Sequence, residues 1–196
     1  MNMTRSKKKD LLYVAVAAFF FLTACVLQTV DDYISDWSVK KTIALLTQYI
    51  FFGLLAYWTA SVISRISDKS ICSGIIVAIA LMGVILFVRL LKYHVFYDGT
   101  VMRYLWYSYY IPHCLAPAVL LITLLGMGRK DGKPLAKGWY LLFLPAAALI
   151  LLVFTNDLHE QVFSFAKGLK YSNEIYKWEW GYYFILSWIA VLYLSI

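Results

Sequence analysis

Apolar runs of membrane-crossing length alternate along this chain with short polar connectors. The runs fall at about residues 11–30, 42–63, 71–91, 104–127, 139–154 and 181–196. A helix of about 20 apolar residues crosses the roughly 30 Å hydrocarbon core of a bilayer, so each run reads as a transmembrane helix. The pattern therefore predicts an all-α fold, a polytopic transmembrane helical bundle with six spans, forming a single membrane domain over residues 1–196. The connectors are equally legible. Asp31, Asp32 and Asp36 precede Lys40 and Lys41, and Arg65, Asp68 and Lys69 separate the second and third runs. Asp98-Gly99 is a turn signal within a compact link over residues 93–103, and residues 128–138 form a basic loop. The longest link, residues 155–180, is aromatic, with Phe163, Phe165, Tyr171, Tyr176, Trp178 and Trp180.

Polar interruptions within the runs are costly in hydrocarbon unless they face other helices. Thr47-Gln48-Tyr49 and Tyr57-Trp58-Thr59 interrupt the second run, and Arg89 sits near the end of the third, where it can snorkel to the headgroups. The fourth run opens with Tyr104-Leu105-Trp106-Tyr107-Ser108-Tyr109-Tyr110 and carries Pro112, His113 and Pro117. Each proline removes a backbone donor and frees an earlier carbonyl, which predicts a bend and an aromatic pocket wall. Pro145 is expected to interrupt the fifth run in the same way.

Composition agrees with this reading: 62% of the 196 residues are hydrophobic and 15% charged, too little polar surface to cover a soluble globule. The lipid bilayer is the expected solvent and first partner. The net charge of +7 is spread over connectors and forms no long basic patch, so no nucleic-acid partner is expected. Arg5, Lys7, Lys8 and Lys9 before the first run, and Arg129, Lys130, Lys133 and Lys137 before the fifth, put those segments in the cytoplasm. The expected location is a bacterial plasma membrane, multi-pass, with the N-terminus cytoplasmic. Residues 187–196 stop without a basic anchor, so a cytoplasmic continuation is expected to be missing. Cys25, Cys72 and Cys114 are far apart and lack Cys-x-x-Cys spacing, which predicts neither a disulfide framework nor a zinc site. Leu22-Thr23-Ala24-Cys25 matches a lipoprotein lipobox, but Val26 and Leu27 continue the apolar run, and an uncleaved span is expected.

The densest polar cluster, Thr155-Asn156-Asp157-Leu158-His159-Glu160-Gln161, ends the fifth run. Such a cluster can contact a ligand, cap the next element or anchor the interface. An enzyme would need a nucleophile with its base, or a metal cluster. His94, His113 and His159 lack i, i+4 spacing, so no metal, haem or other cofactor is expected. Asp157 and His159, two apart, do not share a helix face. No Gly-rich phosphate loop or serine nucleophile motif is present, and the chain is not expected to be an enzyme. A small multi-span transporter or a cofactor-binding membrane subunit is the alternative, though no repeat or midplane charge supports transport.

Met102-Arg103-Tyr104-Leu105-Trp106-Tyr107-Ser108-Tyr109-Tyr110-Ile111-Pro112 and Leu152-Val153-Phe154-Thr155-Asn156-Asp157-Leu158-His159, followed by Gly181-Tyr182-Tyr183, resemble the N-terminal seven-transmembrane sensor region of bacterial histidine kinases and related receptors. The family's Thr-Asn-x-Leu-His pattern closes a late span at its outer end. Two features depart from the family: six runs rather than seven, and no catalytic output domain. The resemblance implies a two-component signal-input module that detects an extracytoplasmic small or lipid-like ligand and relays it to a cytoplasmic domain, with kinase activity outside these residues. It also implies a homodimer. On this reading Arg103, Tyr104, Trp106, Tyr107, His113, Asn156, Asp157 and His159 are the expected ligand contacts.

Overall fold

The structure, a computed structural model, describes residues 5–31, 33–96, 98–127, 135–165 and 176–196. Asp32, Tyr97, Tyr171 and the basic residues Arg129, Lys130 and Lys133 lie outside them. The chain divides into two compact units, Met1–Ser61 and Val62–Ile196.

The first unit holds α1 (Arg5–Asp31) and most of α2 (Trp37–Arg65). Helix α1 continues unbroken past Cys25, as the apolar Val26 and Leu27 require. Phe21 and Phe51 meet edge to face, their centroids 6.4 Å apart. Thr47 and Gln48 are buried while Tyr49 is exposed, so two of the three polar residues in that run turn inward.

The second unit begins with α3 (Lys69–Leu90), which a π-helical turn extends through Val95. Next come α4 (Gly99–Ser108) and α5 (Tyr110–Met127). A 3-10 segment, Lys137–Leu142, leads into α6 (Phe143–Phe154), and the single turn α7 (Asn156–His159) follows. Strands β1 (Phe163–Phe165) and β2 (Tyr176–Trp178) pair antiparallel, Phe163 opposite Trp178, and α8 (Trp180–Leu194) ends the unit. The class is all-α as expected, with this two-stranded sheet added inside the long aromatic link.

Five helical stretches are long and apolar enough to cross a membrane: Tyr13–Val30, Ser38–Arg65, Lys69–Val95, Gly99–Met127 and Lys137–Phe154. They match the first five predicted spans. The sixth forms a helix, α8, but of only 15 residues. Three helices begin earlier than their apolar runs because aspartates cap them. Asp36 accepts from the Ser38 and Val39 amides, Asp68 from Ser70 and Ile71, and Asp98 from Thr100 and Val101, at 2.8–3.2 Å. The expected link over residues 93–103 therefore shrinks to residues 96–98.

The prolines also act differently from expectation. The break in the fourth span falls at Tyr109, and Pro112 occupies the first turn of α5, where a missing amide costs little. Pro145 likewise lies in the first turn of α6, after the 3-10 segment, and does not interrupt it. Among the described residues, only Pro117 is internal to a helix. Nearby, the Trp188 indole N–H of α8 donates to the Cys114 carbonyl at 3.3 Å, tying α8 to α5. Helix α3 packs most extensively on α5, and Gly74 permits the approach, since a Cβ there would collide with the Thr123 side chain.

Candidate functional site

The polar cluster after α6 folds into a latch. Asn156 is fully buried. Its Oδ1 accepts from the Val162 and Phe163 amides at 2.9 and 3.0 Å, and its Nδ2 donates to the Phe163 carbonyl at 2.8 Å and the Tyr107 hydroxyl at 3.2 Å. An amide side chain has two donors and two acceptor lone pairs, so every hydrogen-bonding position of Asn156 is used. The Tyr107 hydroxyl donates onward to Asp157 Oδ1 at 2.8 Å, and Arg103 Nη2 pairs with Asp157 Oδ2 at 3.1 Å. One connected network thus joins α4, α7 and β1. The Arg103 guanidinium also lies 5.6 Å from the Phe165 ring centroid.

His159 belongs to the same turn. The Gln161 amide donates to its Nδ1 at 3.0 Å, which requires that nitrogen to be unprotonated. The proton then sits on Nε2, 3.2 Å from the Thr155 hydroxyl, and that hydroxyl donates to the Leu151 carbonyl at 2.8 Å. Glu160 closes the turn in the left-handed region, with φ 50° and ψ 31°. The Val162 carbonyl then accepts from the Glu179 amide and the Gln161 carbonyl from the Gly181 amide, both at 3.0 Å, fastening the turn to the start of α8. A Cβ on Gly181 would come within 2.8 Å of the Gln161 carbonyl, so this junction requires glycine.

Beside the latch lies an aromatic cleft of ≈ 530 Å³. Its walls are Ile85, Arg89 and Tyr93 from α3 and its π turn, Trp106 from α4, Tyr109 from the break, Tyr110 and His113 from α5, and Tyr182, Leu186 and Ile189 from α8. Phe163 connects latch and cleft. Its ring lies 4.4 Å from Trp106, 5.6 Å from Tyr110 and 5.8 Å from Tyr182, centroid to centroid, and it stacks at 6.2 Å on Tyr107. His113 uses Nδ1 on the Tyr109 carbonyl. The Tyr109 hydroxyl is buried without a hydrogen-bond partner among the described residues.

The expected ligand contacts thus divide between two places. Arg103, Tyr107, Asn156, Asp157 and His159 make the latch, and Tyr104, half exposed, packs edge to face on Tyr107 at 5.7 Å. Of the eight, Trp106 and His113 line the cleft. Sequence reasoning missed Arg89, Tyr93 and Tyr182, and it placed Tyr109 and Tyr110 in an aromatic pocket wall without naming them as contacts. Their signal was helical spacing: Ile85, Arg89 and Tyr93 at steps of four; Trp106, Tyr110 and His113 at four and three; Tyr182, Leu186 and Ile189 likewise. Among the described residues no three of His, Cys, Asp and Glu cluster as a metal site would require. Compared with protein-family models, curated proteins and solved structures, the chain matches none.

Proposed function

We propose that the chain is a membrane-embedded signal-input module, six spans in a bacterial plasma membrane with a cytoplasmic N-terminus, that detects a small or lipid-like ligand and relays its presence to a cytoplasmic output domain such as a histidine kinase. The observation that carries this reading is the composition of the cleft walls. They come from α3, α4, α5 and α8, so a guest touches four helices at once and touches α8 directly. A ligand shifts a conformational equilibrium only by its differential affinity for two states, and a cleft shared by separate helices supplies that difference when the helices move. The latch supports the same reading, since Phe163 packs on Tyr182 of α8 beside the cleft and the Gln161 and Val162 carbonyls hold the entry to α8. Chemistry by this chain itself forms no part of the proposal.

The test needs no ligand. Ile189→Trp puts bulk into the cleft from the α8 side. With Cys25, Cys72 and Cys114 replaced by alanine, spin labels at Val77→Cys on α3 and Leu194→Cys on α8, both exposed, report the separation of the two helices in nanodiscs. Filling the cleft should shift that distance by about 1–2 Å or redistribute two populations, the scale of helix displacements in switching proteins. An unchanged distribution in a folded variant removes the basis for relay through α8.

A further inference from the structure

We propose that the cleft recognises an anionic amphiphile with one apolar chain, its acid head held by Arg89 and the Tyr109 hydroxyl and its chain lying along Trp106, Leu186 and Ile189. The proposal rests on reading the cleft as a ligand site, and it is independent of whether binding produces a signal.

Charge is the first argument. Arg89 is exposed in the cleft, and among the described residues it forms no ion pair; the lining of the cleft includes no carboxylate. A guanidinium facing an aromatic and aliphatic wall attracts an anion, and its planar fork matches a carboxylate or phosphate. The second argument is the Tyr109 hydroxyl, buried without a partner and within electrostatic reach of Arg89 and Tyr93. A buried unsatisfied donor beside a cation is completed by an acid oxygen.

The remaining lining limits the rest of the ligand. Aromatic surroundings such as Trp106, Tyr110 and Tyr182 can enclose an organic cation, but Arg89 repels one. His113 has its Nδ1 committed to the Tyr109 carbonyl, and Arg89 is the guanidinium among the lining residues. Leu186 and Ile189 continue the cleft as hydrocarbon, and ≈ 530 Å³ falls within the ~300–1,000 Å³ of small-molecule sites. The anionic head can belong to a free single-chain acid or to an anionic bilayer lipid that inserts one chain.

The full chain in phosphatidylcholine nanodiscs distinguishes these cases. Bromine quenches tryptophan fluorescence on contact, so ω-bromoundecanoate should quench Trp106 saturably, and Trp106→Phe should remove most of the effect. The uncharged ω-bromoundecanol should bind about tenfold more weakly or worse, and Arg89→Gln should weaken the carboxylate about as much. Tyr109→Phe, which deletes one oxygen and keeps the packing, should weaken it about threefold or more, and it serves if Arg89→Gln does not fold. Displacement of the carboxylate by phosphatidylglycerol would make a bilayer lipid the occupant; resistance to displacement would make it a free acid. Equal binding of acid and alcohol, no saturable quenching, or undiminished binding in both variants would overturn the proposal. Binding without movement of α8 would instead count against the sensor reading alone, and movement of α8 on filling with Ile189→Trp alongside failed acid binding would leave that reading standing.

Discussion

Asn156 shows how one side chain can hold a junction that the backbone alone cannot close. The chain must leave α6, turn at α7 and enter β1 with the Val162 and Phe163 amides and the Phe163 carbonyl away from water, and the Asn156 amide satisfies all three. Asn156→Ala strands them, and a buried group without its partner costs about 1–3 kcal/mol, so the loss should be about 3 kcal/mol or more. Thermal unfolding in detergent measures it; a variant as stable as the parent would show that the latch contributes little. The sequence made Asn156 prominent and favoured it as a ligand contact over a cap, although both roles need a polar side chain at the end of an apolar run. The structure uses all four of its hydrogen-bonding positions inside the protein. Glu160 carries a second residue-scale prediction. With φ at 50°, Glu160→Gly should be neutral or slightly stabilising, whereas Glu160→Val should cost about 1–2 kcal/mol, since a Cβ is unfavourable in the left-handed region. Equal stabilities for the two would contradict that backbone geometry.

At the scale of elements, hydropathy placed the five long apolar helical stretches but not their ends, the break at Tyr109 or the turn α7. The run lengths reflect hydrocarbon thickness, whereas the ends are set by Asp36, Asp68 and Asp98, each accepting two amide hydrogens outside the apolar stretch. Those caps are legible as aspartates two residues before the amides they hold, yet they resemble ordinary connector charges until the backbone is seen. The sheet was less legible still, since Phe163–Phe165 and Tyr176–Trp178 are three residues each, too short for a period-two pattern to register. Packing between elements gives a sharper test. Gly74 on α3 faces Thr123 on α5, whose hydroxyl donates to the Val119 carbonyl at 2.7 Å. Gly74→Ala forces the two helices apart and should cost about 1–3 kcal/mol, as overpacking does. Thr123→Ala removes the obstructing atoms, so the double variant should recover most of that loss in the same unfolding assay. Failure of the second substitution to rescue the first would show that the cost arises elsewhere than at this crossing.

For the whole molecule, the sequence showed the α4–α5 wall but hid the α3 and α8 walls that complete the cleft, because they lie more than ninety residues apart at the extremes and each separately resembles an interfacial aromatic belt. The number of crossings is the corresponding question of scale. Helix α8 has 15 residues, about 22 Å at 1.5 Å per residue against a hydrocarbon core of about 30 Å. By length alone it falls short. Its aromatic residues favour a crossing nonetheless: Trp180 and Tyr183 near one end and Tyr193 near the other are all about half exposed, the arrangement expected when both ends lie in headgroup layers. Local thinning of the bilayer makes up a deficit of a few ångströms at modest cost. With a cytoplasmic N-terminus and six crossings, Leu158 and Ser195 lie on opposite sides. In a background with the three native cysteines replaced by alanine, Leu158→Cys, at a site 85% exposed, should react with a membrane-impermeant maleimide in intact cells. Ser195→Cys should react only after permeabilisation. Reaction of both from outside would mean that α8 returns to the side it left, reducing the bundle to five crossings and putting the end of α8 outside the reach of a cytoplasmic output domain.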